Sequence, residues 1–409
     1  MTSRGAGDAL GALLLAVVTA RGYAGDRVTL APEPASPRTD PEAAGFRPQG
    51  LSDVDRILEA AIAARAFPGA VLAVGRGAAP VHLRAFGRLT YDAGAPEVRT
   101  DTIYDLASLT KIVVTTTLAM ILVDEGRLDL DARVSTFILE FRAPVTIRQL
   151  LTHSGGLVWW APLYKELEGR AAFLQRIVAM DLDYAPGTKS VYSDLGVLLL
   201  GGILERAYGA GLDVVAERRI FAPLGMGDTQ YRPPEALRPR IAPTEQDPWR
   251  GRLLIGEVHD ENAFALGGVA PHAGLFGTAP DLARFAEMLL GGGARDGRRI
   301  VSRAVAELFT ARAGIPGSTR ALGWDTPTDE TGRRGSMPDE PGYSSAGSLL
   351  SPRSFGHTGF TGTSMWMDPE RRLYVILLTN RVHPTRENEA IRAVRAEVAD
   401  AVVRALATP

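Results

Sequence analysis

Ser108 and Lys111 stand three residues apart where a long apolar run begins, Ile112 to Val123, closed by Asp124-Glu125-Gly126. Side chains at that spacing share one face of a helix. A hydroxyl held beside an amine is a nucleophile held beside a base, the pairing that a weak oxygen nucleophile needs. The run is apolar or Thr on every face, so it reads as a helix buried all round, with Asp105 or Ser108 capping its start. In such a place burial and the positive end of the helix dipole both push the pKa of Lys111 down, and we expect an uncharged amine. Of the 45 Lys and Arg residues only Lys111, Lys165 and Lys189 are lysines. Arginine cannot release its proton in a protein and lysine can, so a lysine spent on a buried helix points to proton transfer.

Two further stretches carry chemistry. Ala185-Pro-Gly187 precedes Tyr192-Ser-Asp194, and this turn can hold a phenol and a carboxylate at the head of the next apolar helix. Phe355-Gly-His357-Thr358-Gly359-Phe360 sits on an expected strand, where Gly359 allows close backbone approach to a ligand.

The elements that must position these residues follow from periodicity. Leu51 to Ala66 has helical spacing and stops at Phe67-Pro-Gly69; Gly69–Gly75 and Val81–Gly87 read as an antiparallel strand pair. From Leu128 to Met288 the pattern is mainly helical, clearest at Ile147–Leu151, Ala171–Met180, Gly196–Tyr208 and Asp281–Leu290. Strand-like segments return at Leu322–Trp324, Ser354–Gly359, Thr363–Met367 and Leu373–Asn380, and a helix over Glu387–Leu406 ends the chain. The fold class expected is α/β plus α: an antiparallel sheet flanked by N- and C-terminal helices, with a mainly α domain inserted. In domain terms, 51–107 and 318–409 form the α/β part and 108–317 the α part. Residues 325–353, polar and rich in Gly, Pro and Ser, are expected to form a mobile flap beside the site.

At 409 residues, 45% hydrophobic and a net charge of −2, nothing in the composition points to nucleic acid. Cysteine is absent, which excludes disulfides, thiolate metal sites and a cysteine nucleophile. Residues 9–20 form an apolar run shorter than the roughly 20 residues a bilayer span needs, and Val18-Thr-Ala20 suits a signal peptidase. We therefore expect residues 1–24 to be a signal peptide or short anchor, residues 25–50 a Pro-rich linker, and the folded part to act in the periplasm or outside the cell.

With these stretches in place, the chain resembles the serine hydrolases of the penicillin-recognising superfamily, in the branch that holds class C β-lactamases, D-alanyl-D-alanine carboxypeptidases and β-lactamase-like esterases. Ser108-Leu-Thr-Lys111 matches the S-x-x-K motif. Tyr192-Ser-Asp194 is similar to the Tyr-x-Asn motif, and His357-Thr-Gly359 to Lys-Thr-Gly. Gln149–Leu157 and Gly274–Arg284 are similar too, and the resemblance covers about residues 50 to 405. It implies that Ser108 attacks an acyl carbon while Lys111 and Tyr192 relay its proton, that the backbone N–H groups of Ser108 and Phe360 hold the oxyanion, and that Asp194, His357, Thr358 and Gly359 meet the substrate. No cofactor or metal is implied.

Two departures bear on the substrate. His357 stands where a lysine is usual, so a permanent cation for a substrate carboxylate is missing, and Asp194 replaces an amide by a carboxylate. Both favour neutral esters over β-lactams or peptide C-termini. A carboxylesterase is expected first, then a carboxypeptidase or weak β-lactamase, and, as a non-enzyme alternative, a ligand sensor on the same fold. If His357 binds a carboxylate, turnover of carboxylated substrates should rise toward pH 6. His153 reads as a hydrogen-bonded structural residue. His259-Asp-Glu-Asn262 and His272 match no H-E-x-x-H spacing and read as polar loops, with His272 near the cleft. Trp159, Trp160 and Tyr164 read as core aromatics or as a wall of the acyl pocket.

Overall fold

Strands drawn from both ends of the chain build one five-stranded antiparallel sheet. Its order is Phe355–Thr358, Ser364–Asp368, Leu373–Thr379, Gly69–Arg76, Pro80–Gly87. The computed structural model describes residues 39–77, 80–328 and 344–407, all within one compact unit, 37–409. The expected signal segment, the first part of the linker, and residues 329–343 of the polar stretch lie outside the described residues.

The Gly69–Arg76 strand shows why the sheet has a helical layer on each side. Its side chains alternate between two apolar clusters, as the period of two in a strand requires. Ala70, Leu72 and Val74 pack on one face with the helices Pro48–Ala63 and Ile391–Arg404. Val71 and Ala73 face the larger cluster, which contains the central helix. Register pairs Val71 with Leu378 and Leu72 with Leu377, and both strands are buried along their length except at Arg76. Among the described residues no single helix is long and apolar enough to cross a membrane.

The folded part starts before Leu51. Phe46 is buried and bridges to Leu406, and Pro at the first turn opens a helix over Pro48–Ala63. Leu322–Trp324 is not a strand; only Asp325 makes an isolated bridge, to Gly356. The remaining expected elements are present with ends shifted by a few residues, as at the last helix, which begins at Ile391.

The apolar run after Ser108 is buried all round, as its composition requires. It is π-helical over Lys111–Thr116 and α-helical over Thr117–Asp124. Wide π turns are frequent at functional sites. Neither Asp105 nor Ser108 caps it in the usual way: the chain enters through a tight turn, with Lys111 N–H bonded to Ser108 O at 3.0 Å.

Leu72 is fully buried in the middle of the sheet. Leu72→Ala should lower unfolding free energy by about 2–5 kcal/mol, read from guanidinium chloride unfolding; a loss well under that range would show that the two apolar layers do not depend on this strand.

Candidate active site

Asp105 sets the entrance to the central helix. It lies on a two-residue strand paired with Leu275–Gly277, and its buried carboxylate accepts the N–H of Ala107 at 2.9 Å and of His259 at 2.7 Å. Ala107 is held at φ 46°, a conformation that costs a non-glycine residue energy and is tolerated where surroundings over-determine it. Ser108 follows, partly exposed between buried neighbours.

Lys111 Nζ lies 2.8 Å from Ser108 Oγ, 2.9 Å from the carbonyl of His272 and 2.8 Å from Asp194 Oδ1. Ser108 Oγ and the His272 carbonyl accept hydrogen bonds from the amine, and Asp194 faces it as a carboxylate in ion-pair contact. The uncharged amine expected from sequence is not the form this setting favours. Burial does oppose the charge, but Asp194, with a smaller contribution from Tyr192, outweighs it and raises the pKa of Lys111 above the ordinary lysine value. Asp194 is well placed to do so. It opens the helix Asp194–Tyr208, where the dipole favours a carboxylate, and Ser193 caps that helix by accepting the N–H of Gly196 at 3.0 Å.

Tyr192 Oη donates to Ser108 Oγ at 3.0 Å, so the serine oxygen is bracketed by both expected partners. Burial pushes the phenol up to about 12, against the pull of Lys111. The loop that carries Tyr192 is tied to the 149–156 turn through Gly187 N–H to Ser154 O and Val191 N–H to His153 O. His153 stacks on the Tyr192 ring at 4.7 Å, and its Nδ1 accepts the N–H of Ser193. Burial holds the His153 pKa well below the usual histidine value, so it serves as a neutral structural ring, as expected.

From the third motif, Gly359 packs against the nucleophile turn. A Cβ there would meet Thr363 Oγ1 at 2.1 Å and Leu106 O at 2.5 Å. Thr361 Oγ1 donates to Asp105 O at 2.7 Å and Thr363 Oγ1 to Leu106 O at 3.0 Å, which fixes Phe360 beside Ser108. No hydrogen bond among the described residues uses the backbone N–H of Ser108 or Phe360. Two such donors are what an oxyanion needs.

His357 is buried, its ring 5.9 Å from that of Tyr192. Its Nδ1 donates to Thr358 O at 2.7 Å, which leaves Nε2 as a lone-pair acceptor with no partner among the described residues. Burial lowers its pKa, only partly opposed by Asp325. The charged form that a carboxylate would need is thus disfavoured relative to an ordinary histidine.

These groups open onto a cleft of about 700 Å³ that Asp194, Thr358 and Gly359 also line. Trp159 and Trp160 line it as well, and Trp159 is 56% exposed, so it is not core. Tyr164 instead packs edge-on against Trp249. Two features escaped the sequence reading. Arg320 and Asp325 form a buried pair at 2.6 Å, with Arg320 5.3 Å over the Tyr192 ring. Asp260 accepts from His272 Nε2 at 3.0 Å, and the polar loops around 260 and 272 meet beside Lys111. Asp194, Asp260 and His272 offer donor atoms within 4.8 Å of one another, the proximity a metal site requires. The Lys111 ammonium already supplies positive charge to that cluster.

Fold and site together define a serine acyl hydrolase of the S-x-x-K type. The family model for beta-lactamase matches residues 54–400, and the chain belongs to that family of serine hydrolases. It is 34% identical over 380 residues to the N-acetylmuramyl-L-alanine amidase of Bacillus subtilis strain 168, covering 84% of this chain and 83% of that protein. It is 31% identical over 395 residues to an Escherichia coli K12 protein provisionally named D-alanyl-D-alanine carboxypeptidase, covering 87% and 88%. Among solved structures, EstCE1, a hydrolase with promiscuous acyltransferase activity, matches with TM-score 0.69 at 22% identity over 87% of this chain and 99% of its own. A penicillin-binding protein homologue from Caulobacter crescentus matches with TM-score 0.68 at 24% identity, covering 88% and 99%.

The Lys111–Asp194 contact gives a signed prediction. A pKa raised in the folded state keeps Lys111 protonated at neutral pH, so activity that needs one fewer proton on the Lys111–Tyr192 pair should climb as pH rises. Asp194→Asn removes the charge that raises it, and the rising limb of the kcat/KM profile should move to lower pH; a limb that stays in place would show that another group sets it. Gly359→Ala should reduce kcat by about 10²–10³ by displacing the Phe360 N–H. Initial rates would measure this, and wild-type kcat in that variant would mean the Phe360 N–H holds no oxyanion.

Proposed function

We propose that this protein cleaves an ester or amide through an acyl-enzyme on Ser108, and that it is first a carboxylesterase. The observation that carries the reading is the bracketing of Ser108 Oγ by Lys111 Nζ at 2.8 Å and Tyr192 Oη at 3.0 Å.

In the active form the Lys111–Tyr192 pair carries one proton fewer than at rest and takes the proton of Ser108 as Oγ attacks the acyl carbon. The oxyanion sits between the N–H groups of Ser108 and Phe360. The pair then returns the proton, through Tyr192, to the departing alcohol or amine. Water attacks the acyl-enzyme by the reverse assignment, giving up a proton to the pair and restoring Ser108.

The neutral His357 supports esters without a carboxylate, because the position where the family's lysine would meet that charge holds a buried ring that resists protonation. A second reading has its own support: the Bacillus subtilis relative, 34% identical, is named an amidase. An amide bond needs the leaving amine protonated, which the same phenol can do.

The deciding assay compares a p-nitrophenyl ester, an N-acetylmuramyl-L-alanine amide, a D-Ala-D-Ala peptide and a chromogenic cephalosporin, on wild type and Ser108→Ala. The ester should be turned over fastest and Ser108→Ala should lose at least about 10³-fold in kcat. Faster cleavage of the muramyl amide selects the amidase, and faster cleavage of the peptide the carboxypeptidase. Fluorophosphonate labelling of Ser108 without turnover of any substrate would identify a ligand sensor instead.

A further inference from the structure

Three side chains on the cleft wall near the nucleophile present unused acceptors, and this deepens the acyl-enzyme reading on which it rests. Lys111 is engaged by the protein, donating to Ser108 Oγ and the His272 carbonyl and lying 2.8 Å from Asp194 Oδ1. Asp194 lies in ion-pair contact with Lys111 through Oδ1, yet Oδ1 is buried without a hydrogen-bond partner, and among the described residues no hydrogen bond reaches Oδ2 either. Asp260 spends Oδ1 on His272 and on the N–H of Ala263 at 2.7 Å, and Oδ2 has no partner among the described residues. His357, 97% buried, presents the lone pair of Nε2 with nothing to receive. All three line the same cleft. A carboxylate can only accept, and so can the free nitrogen of this imidazole tautomer.

The arginines that also line the cleft do not balance this wall, because they are spent elsewhere. Arg386 pairs with Glu245 and Glu261, Arg392 lies 3.7 Å from Glu389, Arg395 donates to the carbonyls of Gly359 and Thr363, and Arg381 to those of Phe360, Arg386 and Asn388.

We propose that Asp194, Asp260 and His357 form a subsite for an ammonium group on the acyl part of the substrate, so that the preferred acyl donors are aminoacyl esters or amides with a free amine. An ammonium offers three N–H groups and nothing to accept, the complement of such a wall. The acyl side is assigned by enclosure. Asp194 is 14% exposed and Asp260 24%, whereas Trp159 and Phe360, more than half exposed, mark the open mouth through which a leaving group departs. The acyl group is the part retained through the covalent intermediate. Asp260 acts by holding the ammonium and takes no part in the proton relay.

The test compares phenyl esters of glycine and β-alanine with their uncharged counterparts, phenyl propionate and phenyl butyrate, and with the N-succinylglycine ester as the anionic member. Assays run at about pH 6.5, below the ordinary α-amino range, so that the amines keep their protons. At least one amine-bearing ester should exceed its uncharged counterpart in kcat/KM by about tenfold or more, the size of one charge-assisted hydrogen bond, and the anionic ester should be the poorest. In Asp260→Asn the ratio of amine to uncharged ester should fall by about tenfold; as a ratio within one variant it is independent of how much protein folds. Turnover of phenyl propionate with no preference for either amine, or an unchanged ratio in Asp260→Asn, overturns this subsite and leaves the acyl-enzyme reading standing. Failure to turn over any ester in the series overturns both.

Discussion

A buried ammonium needs acceptors, and the site is arranged around satisfying the one on Lys111. The side chain is 3% exposed, so its charge persists only because a carboxylate, a carbonyl and a hydroxyl all point at it. Those acceptors come from separate parts of the chain. Ser108 enters the central helix, Asp194 opens the helix that begins after the Tyr192 loop, and the carbonyl of His272 comes from the turn before Leu275–Gly277. Breaking such a pair by removing one partner leaves an uncompensated charge, which typically costs about 3–5 kcal/mol. The geometry around Ser108 is thus enforced by electrostatics as well as by packing.

A second constraint ties the nucleophile to its oxyanion donors. Asp105 binds the N–H of Ala107 through its carboxylate and Thr361 Oγ1 through its carbonyl, so one residue touches both the turn before Ser108 and the turn after Phe360. Its carboxyl is pushed up in pKa by burial and meets no lysine or arginine among the hydrogen bonds it makes; the N–H groups of Ala107 and His259 hold it instead. A strained φ at Ala107 survives in this setting because the surrounding bonds leave it no alternative.

Much of this was legible in the sequence, and the limits have physical causes. The strands and long helices follow from periodicity because both faces of the sheet are covered and the central helix has no polar side. Ser108, Lys111 and Tyr192 could be grouped because their motifs are local and ordered along the chain. The charge of Lys111 is not legible locally, because burial and the dipole act through its own helix, whereas the carboxylate that outweighs them is Asp194, 83 positions away in the chain. The Asp260–His272 and Arg320–Asp325 pairings carry no local pattern; only the fold brings their partners together. Aromatics in a helical stretch are more often core, and nothing local shows that Trp159 is instead exposed on the cleft wall.

The two departures from the family pattern act in one direction. Replacing an amide by Asp194 adds a negative charge, and replacing a lysine by the neutral His357 removes a positive one, so this site is more negative than the motif it resembles by two unit charges. A change of that size beside a nucleophile is not neutral: it stabilises the protonated relay and disfavours an anionic substrate in the same step. The relay can tolerate this because only a transient loss of one proton is required for attack, and the base that results from a raised pKa is the stronger one once formed. Charge that looks like a handicap for the resting enzyme is therefore compatible with catalysis, provided the substrate arrives without a negative charge of its own.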